Sequence, residues 1–242
     1  MKFKTNAFAH AATRGAGLLA AAAMAWMPQT TRAQDLTLDD FSTGPGKLEA
    51  TSGSHTVSQT GTGIVGGTRN ISLVYGKKDK SEFGQESTLQ VRPSTSKNVP
   101  SALIWSNGFD ATPGIELEYF GLNQDTPLNL NLTNYDRFRV GFQGISTGIV
   151  LTAEVWYGGD FNTYGIESCG LPASDSPFTV DLPFSTFAPG TTPITWSALD
   201  GLFMELTEGT SALNSPNLAI TGYSAILATD PAGTITCGPP AT

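Results

Sequence analysis

The sequence predicts an all-β fold, an antiparallel β-sandwich, on three observations. Past residue 34, apolar side chains recur with period two in short segments of about four to nine residues. Clusters of Gly, Pro, Asn, Asp and Ser separate these segments, in a chain with 27 Gly and 15 Pro. Amphipathic helical periodicity is nearly absent, so no helices are at hand for parallel crossovers and the sheets are expected to be mainly antiparallel. A charged content of 14% and an aromatic content of 10% suit such a domain rather than a coiled coil or a charged disordered tail.

Residues 1–33 read as a secretory signal peptide and 34–242 as a single sandwich domain. Lys2 and Lys4 open the chain, an apolar run from Gly15 to Trp26 follows, and Thr31-Arg32-Ala33 offers small residues for cleavage. The run's twelve residues would span about 18 Å as a helix, short of a ~30 Å hydrocarbon core, so retention as an anchor is not expected. The expected location is secreted or periplasmic, free of the membrane once the leader is removed. Removal also takes away four basic residues and no acids, leaving 9 basic against 21 acidic side chains and moving the net charge from -8 to -12. Phosphate backbones and anionic lipid repel such a chain, which excludes nucleic acid as a partner.

The strands follow in order. Leu36–Phe41 is the first, a polar hairpin region with His55–Gln59 comes next, and Arg69–Tyr75 alternates Ile71, Leu73 and Tyr75 with smaller or polar neighbours. Ser87–Arg92, Ala102–Ser106 and Ile115–Phe120 continue. In the last, Ile115, Leu117 and Tyr119 face one way and Glu116 and Glu118 the other, as in a half-solvated strand. Arg137–Phe142 points Phe138, Val140 and Phe142 inward and Arg137 and Arg139 outward. Ile149–Tyr157 has an apolar face of Ile149, Leu151, Ala153 and Val155 and a polar one with Thr152 and Glu154. Phe178–Leu182, Leu202–Thr207 and Leu218–Leu227 complete the set. Residues 76–86 and 158–177 read as long loops.

In an oxidising compartment Cys169 and Cys237 are expected to pair; the alternative is two free thiols. Closing a loop of about 69 residues stabilises by roughly 4 kcal/mol on the chain-entropy model. Gly61-Thr62-Gly63-Ile64-Val65-Gly66 matches a dinucleotide-binding spacing, but a strand follows it where a helix N-terminus is needed, so a glycine-rich turn is expected. Arg69 beside it reads as one half of an ion pair bracing the sandwich, or else as an anion or sugar contact. Asp39 and Asp40 suit calcium or a turn equally. Glycoside hydrolysis needs two carboxyls about 5–9.5 Å apart. Glu116 and Glu118 on one face, with Glu154 on a neighbouring strand, permit that but read first as solubilising charge. His55 is the one histidine after the leader, so a multi-histidine zinc site is excluded and a Ser-His-Asp triad has no other base.

The succession Tyr135–Val140, Ile149–Val155, Phe178–Phe187 (FTVDLPFSTF) and Ile194–Leu202 (ITWSALDGL) resembles galactose-binding-like jelly rolls, several carbohydrate-binding modules among them. The front half, with Asp39-Asp40-Phe41 and Gly66-Gly67-Thr68-Arg69, is similar to secreted bacterial proteins with a "DDF…GGxR" pattern. The resemblance implies a jelly-roll sandwich. Where many such modules carry an Asp that helps hold a structural calcium, this chain has Ile220-Thr221-Gly222-Tyr223-Ser224, so the resemblance lends calcium no support and no cofactor is expected.

Residues 156–164 (WYGGDFNTY) set aromatic rings among Gly, Asp, Asn and Thr at a strand end. Aromatic faces stack on sugar C–H patches and planar polar side chains read hydroxyls. Trp156, Tyr157, Asp160, Asn162 and Tyr164 are therefore the candidate ligand-binding residues. Alternatively, Trp156 and Tyr157 close the core and Tyr164 covers the loop. Trp105 and Trp196 read as core or edge packing. The expected function is a secreted, non-catalytic binding protein for a glycan or another extracellular surface ligand. A structural, surface-assembly protein of the cell envelope is the alternative, and a glycoside hydrolase the third reading.

Overall fold

The computed structural model describes residues 34–237, apart from 45, 76–85, 97–98, 109–110, 112, 122–125, 160–162 and 209–215. The expected leader lies outside them, as does most of the expected 76–86 loop. Among the described residues fifteen strands run in chain order: β1 (Leu36–Asp39), β2 (Gly46–Ala50), β3 (Ser54–Thr60), β4 (Thr68–Val74), β5 (Ser87–Arg92), β6 (Ala102–Ser106), β7 (Gly114–Phe120), β8 (Tyr135–Ile145), β9 (Ile149–Tyr157), β10 (Tyr164–Leu171), β11 (Phe178–Pro183), β12 (Ala188–Pro189), β13 (Leu199–Glu208), β14 (Leu218–Leu227) and β15 (Ile235–Thr236). They form an eight-stranded sheet, β15-β11-β8-β14-β6-β5-β2 with β1 also on β14, and a seven-stranded sheet, β12-β10-β9-β13-β7-β4-β3. Pairing is antiparallel throughout except between β11 and β15. The two sheets face each other as a jelly-roll sandwich. Among the described residues no helix is long and apolar enough to cross a membrane.

Period-two alternation produces the core directly. Ile71, Leu73, Ile115, Leu117, Leu151, Ala153, Val155, Leu202, Met204 and Leu206 from one sheet meet Leu89, Val91, Leu103, Trp105, Phe138, Val140, Val180, Leu182 and Tyr223 from the other, all of them buried. Trp105 is in the core. Trp196 packs near the edge of it, stacked on Phe184 at 3.9 Å between ring centroids.

The stretch 158–177 is not one long loop, because β10 occupies the middle of it. Its inward positions, Gly165, Glu167, Cys169 and Leu171, carry little hydrophobic signal, although the strand pairs with β9 along its whole length. Gly165 leaves room for Ile194: a Cβ on it would lie 2.3 Å from Ile194 Cδ1 and would push that side chain aside. Buried Glu167 has its pKa raised by desolvation, against a hydrogen bond from Thr186.

The Asp39-Asp40-Phe41 and Gly66-Gly67-Thr68-Arg69 segments meet in space. Asp39 ends β1 in one sheet and Arg69 lies on β4 in the other, and both are fully buried. Arg69 Nη1 pairs with Asp39 Oδ2. The rest of the guanidinium donates to Gln59 Oε1, at 3.2 Å from Nε and 2.5 Å from Nη2, and to the Thr43 carbonyl at 2.9 Å. Asp39 also accepts from the Phe41 N–H at 2.8 Å and the Tyr119 hydroxyl at 3.0 Å. Phe41 adopts φ 52°, a left-handed conformation costing a non-glycine residue about 1–2 kcal/mol. Its ring lies 5.2 Å under the guanidinium, which offsets part of that cost. The Gly61–Gly66 stretch is a turn, with a short 3-10 segment at 65–67 leading into β4. Gly66 has φ 70°, and a Cβ on it would sit 2.3 Å from the Phe120 carbonyl oxygen. Arg69 is thus the bracing ion pair, with no exposed surface for a sugar.

Arg137 and Arg139 point out of the eight-stranded sheet, yet Arg137 is buried. The segment from Asp230 to Cys237 lies over them. Arg139 forks onto Asp181 at 2.6 and 2.8 Å, and Arg137 Nε stands 3.0 Å from the same carboxylate. The Gly233 N–H donates to Asp181 at 2.5 Å, and Arg137 donates to the carbonyls of Asp230 and Pro231 at 2.7 and 3.0 Å. Burial works to raise the Asp181 pKa, but the hydrogen bonds and charges of this cluster outweigh it and hold the carboxyl below the usual aspartate range. A disulfide between Cys169 on β10 and Cys237 closes the segment onto the opposite sheet.

Candidate functional site

The outward face of the seven-stranded sheet gathers most of the chemistry. Register places its side chains in rows. One row runs Ser58, Asn70, Glu118, Phe203, Glu154, Ile166; the next runs Thr56, Ser72, Glu116, Glu205, Thr152, Ser168. A third, toward the β9–β10 turn, runs Thr60, Thr68, Phe120, Gly201, Trp156, Tyr164. None of these outward residues is Lys, Arg or His.

The third row is an aromatic strip built around a missing side chain. Trp156 stacks on Phe120 at 5.5 Å with a 12° interplanar angle, and Phe203 lies 6.0 Å from it. Gly201 makes the stack possible, since a Cβ there would approach Trp156 Cε3 to 2.6 Å and Phe120 Cε1 to 3.4 Å. Tyr164, directly across from Trp156 on β10, is 42% exposed and extends the strip to the sheet edge. The turn beyond it is anchored by the Gly159 N–H, which donates to buried Asp200 at 2.6 Å. Gly158 and Gly159 supply the positive φ angles, 90° and 83°, that reverse the chain. Thr68 flanks Phe120 on the other side; it is buried, and its hydroxyl has no hydrogen-bond partner.

Trp156 and Tyr164 therefore share a face, as a binding strip requires. Tyr157 does not. Adjacent strand residues point to opposite sides, so Tyr157 enters the core, 2% exposed, where its hydroxyl donates to the Thr192 carbonyl at 2.5 Å. Asp160 and Asn162 lie outside the described residues.

Four glutamates flank the strip. Glu116 and Glu118 share a face, as their spacing predicts. Glu154 is not on the neighbouring strand, because β13 runs between β7 and β9. It stands two strands from Glu118, roughly 10 Å, with Phe203 between them. The residue beside Glu116 is Glu205, its direct cross-strand partner at a Cα separation of roughly 4.5–5.5 Å. Desolvation, then the charges of Glu205 and Glu118, push the Glu116 pKa up. Desolvation and Glu205 also raise that of Glu154, against a hydrogen bond from Trp156. Asn70 Nδ2 donates to Glu118 at 3.1 Å. Among the described residues no group of three or more His, Cys, Asp and Glu is placed to hold a metal ion.

Like charges directly opposed on a sheet cost about 0.2–1 kcal/mol. A carboxylate whose pKa is raised on folding destabilises the folded state above that raised pKa, and the penalty disappears once pH falls below the unfolded value. Glu205→Gln is therefore expected to raise stability at pH 7 by about 0.5 kcal/mol, and to leave it unchanged near pH 3. Urea midpoints at the two pH values check this; a variant less stable than the parent at pH 7 contradicts it.

The fold and the face together define an all-β jelly-roll sandwich with an aromatic and carboxylate-rich sheet surface. The chain matches no protein-family model and no curated protein sequence. Among solved structures it is similar to a family 11 carbohydrate-binding module from Clostridium thermocellum in complex with a β-1,3-1,4-mixed-linked tetrasaccharide. The identity is 10%, over 81% of this chain and 98% of that one, with a TM-score of 0.45. The family 11 module of the cellulosomal cellulase Lic26A-Cel5E of Clostridium thermocellum gives 11% identity over 81% and 95%, with a TM-score of 0.44. An exo-β-agarase aligns over 83% of this chain but 25% of its own, at 8% identity and a TM-score of 0.40.

Proposed function

We propose that this chain is an exported, non-catalytic glycan-binding protein whose ligand lies across the outward face of the seven-stranded sheet, along Phe120, Trp156 and Tyr164. Residues 1–33 serve as its export leader on this reading. The aromatic strip carries the proposal: two outward rings meet over a glycine, and a third, exposed ring continues their row to the sheet edge. Sugar rings stack on such a platform, and Thr152, Ser168 and the glutamates supply hydroxyl-reading groups in the adjacent rows.

Affinity electrophoresis of the chain without its leader against soluble plant, algal and microbial polysaccharides tests it. At least one polysaccharide is expected to retard the protein, and Trp156→Ala to weaken that retardation by about tenfold or more while the circular dichroism spectrum is preserved. The polysaccharide is expected to keep its chain length on incubation. Retardation indifferent to both Trp156→Ala and Tyr164→Ala removes the proposed site.

A further inference from the structure

We infer that this face selects its glycan by charge: its ligand carries free amino groups, as glucosamine or galactosamine polymers do. The inference rests on the reading above that the face holds a glycan, and adds the substrate class. Four carboxylates stand on three adjacent strands, Glu116 and Glu118 on β7, Glu205 on β13 and Glu154 on β9. Among the described residues none of them forms a salt bridge. The flanking strands bring no opposing charge either: β3 presents Thr56 and Ser58, β4 Asn70 and Ser72, and β10 Ile166 and Ser168. Glu116 and Glu205 oppose each other directly, a repulsion that no salt bridge among the described residues offsets. An ammonium between them relieves it, whereas a uronate or sulfate adds to it.

The aromatic strip lies one row beyond Glu118 and Glu154, so a sugar stacked on Trp156 or Phe120 brings the substituents of the next residue over the carboxylates. Thr68, nine-tenths buried beside Phe120 on this face, carries a hydroxyl without a hydrogen-bond partner. Because Glu116 and Glu154 ionise above the usual carboxylate range, binding is expected to fall on the acid side earlier than for free carboxylates. On the alkaline side it falls as the amine loses its proton.

Isothermal titration of the chain without its leader, at low salt and about pH 6, compares three hexasaccharides: β-1,4-glucosamine, its fully N-acetylated form, and galacturonate. The amine form is expected to bind on the order of tenfold more tightly than the N-acetylated form, and galacturonate not measurably. Glu116→Gln/Glu205→Gln is expected to bring the first two within about threefold of each other. Trp156→Ala is expected to weaken both. Equal affinity for the amine and acetylated forms, or a preference that survives the double substitution, overturns the charge inference and leaves glycan binding standing. An amine preference untouched by Trp156→Ala marks diffuse attraction to an acidic protein, and also overturns it. Retardation by neutral polysaccharides but none of these three ligands bound sinks the inference alone, and no glycan bound in either experiment sinks the reading beneath it.

Discussion

Replacing Arg69 by methionine is expected to destabilise the chain by about 3–5 kcal/mol, a large share of the stability of a typical domain. The guanidinium is fully buried and spans the two sheets, so its removal leaves the Asp39 carboxylate without a countercharge and takes two hydrogen bonds from Gln59 and one from the Thr43 carbonyl. The Phe41 N–H and the Tyr119 hydroxyl remain, and neither carries charge. The pair need not be better than an apolar one. Removing both charges in Asp39→Leu/Arg69→Met is expected to cost less than Arg69→Met alone, because desolvating two ions offsets much of their attraction. Lysine at 69 keeps the charge but not the fork that reaches Asp39, Gln59 and Thr43 together, so it is expected to rescue only in part. Urea denaturation of the three variants measures this. A loss below about 1 kcal/mol for Arg69→Met shows that the pair does not brace the sandwich.

Breaking the Cys169–Cys237 bond by substituting serine at both positions is expected to lower stability by about 2–5 kcal/mol. For a chain of this size that is a fall in melting temperature on the order of 10 °C. The bond closes a long loop, since its ends are 68 residues apart in sequence. It also holds the segment that covers Arg137 and Asp181, where β15 pairs with β11 through few residues. Hydrogen exchange is expected to show the loss locally first, at the Gly233 and Cys237 amides, which donate to Asp181. Unchanged exchange there, with a melting temperature within about 2 °C of the parent, refutes the assignment.

The residues explain which parts of this could be anticipated. Glu116 and Glu118 were legible as a face of one strand because strand parity is a property of neighbouring residues. The same parity separates Trp156 from Tyr157, and it was the signal that could have placed Tyr157 inside. Strand β10 was hidden because Gly165, Glu167 and Cys169 occupy inward positions that usually hold aliphatic residues. Glu205 lay within a recognised strand, Leu202–Thr207, but nothing in that strand announces that Glu116 is beside it. Gly201 likewise looks like a turn residue until Phe120 and Trp156 are seen to close over it. Arg69 was legible as one half of an ion pair bracing the sandwich, but its partner was not, because Asp39 reads from the sequence only as a calcium or turn residue.

Composition, alternation and turn residues were enough for an all-β sandwich and for the inward or outward sense of most strand positions, because both follow from local backbone geometry. Which strands lie side by side is set by contacts between residues far apart in the chain, and periodicity does not record those. The aromatic strip, the Glu116–Glu205 opposition and the buried Asp39–Arg69 pair all depend on that lateral order, so they became visible only in three dimensions.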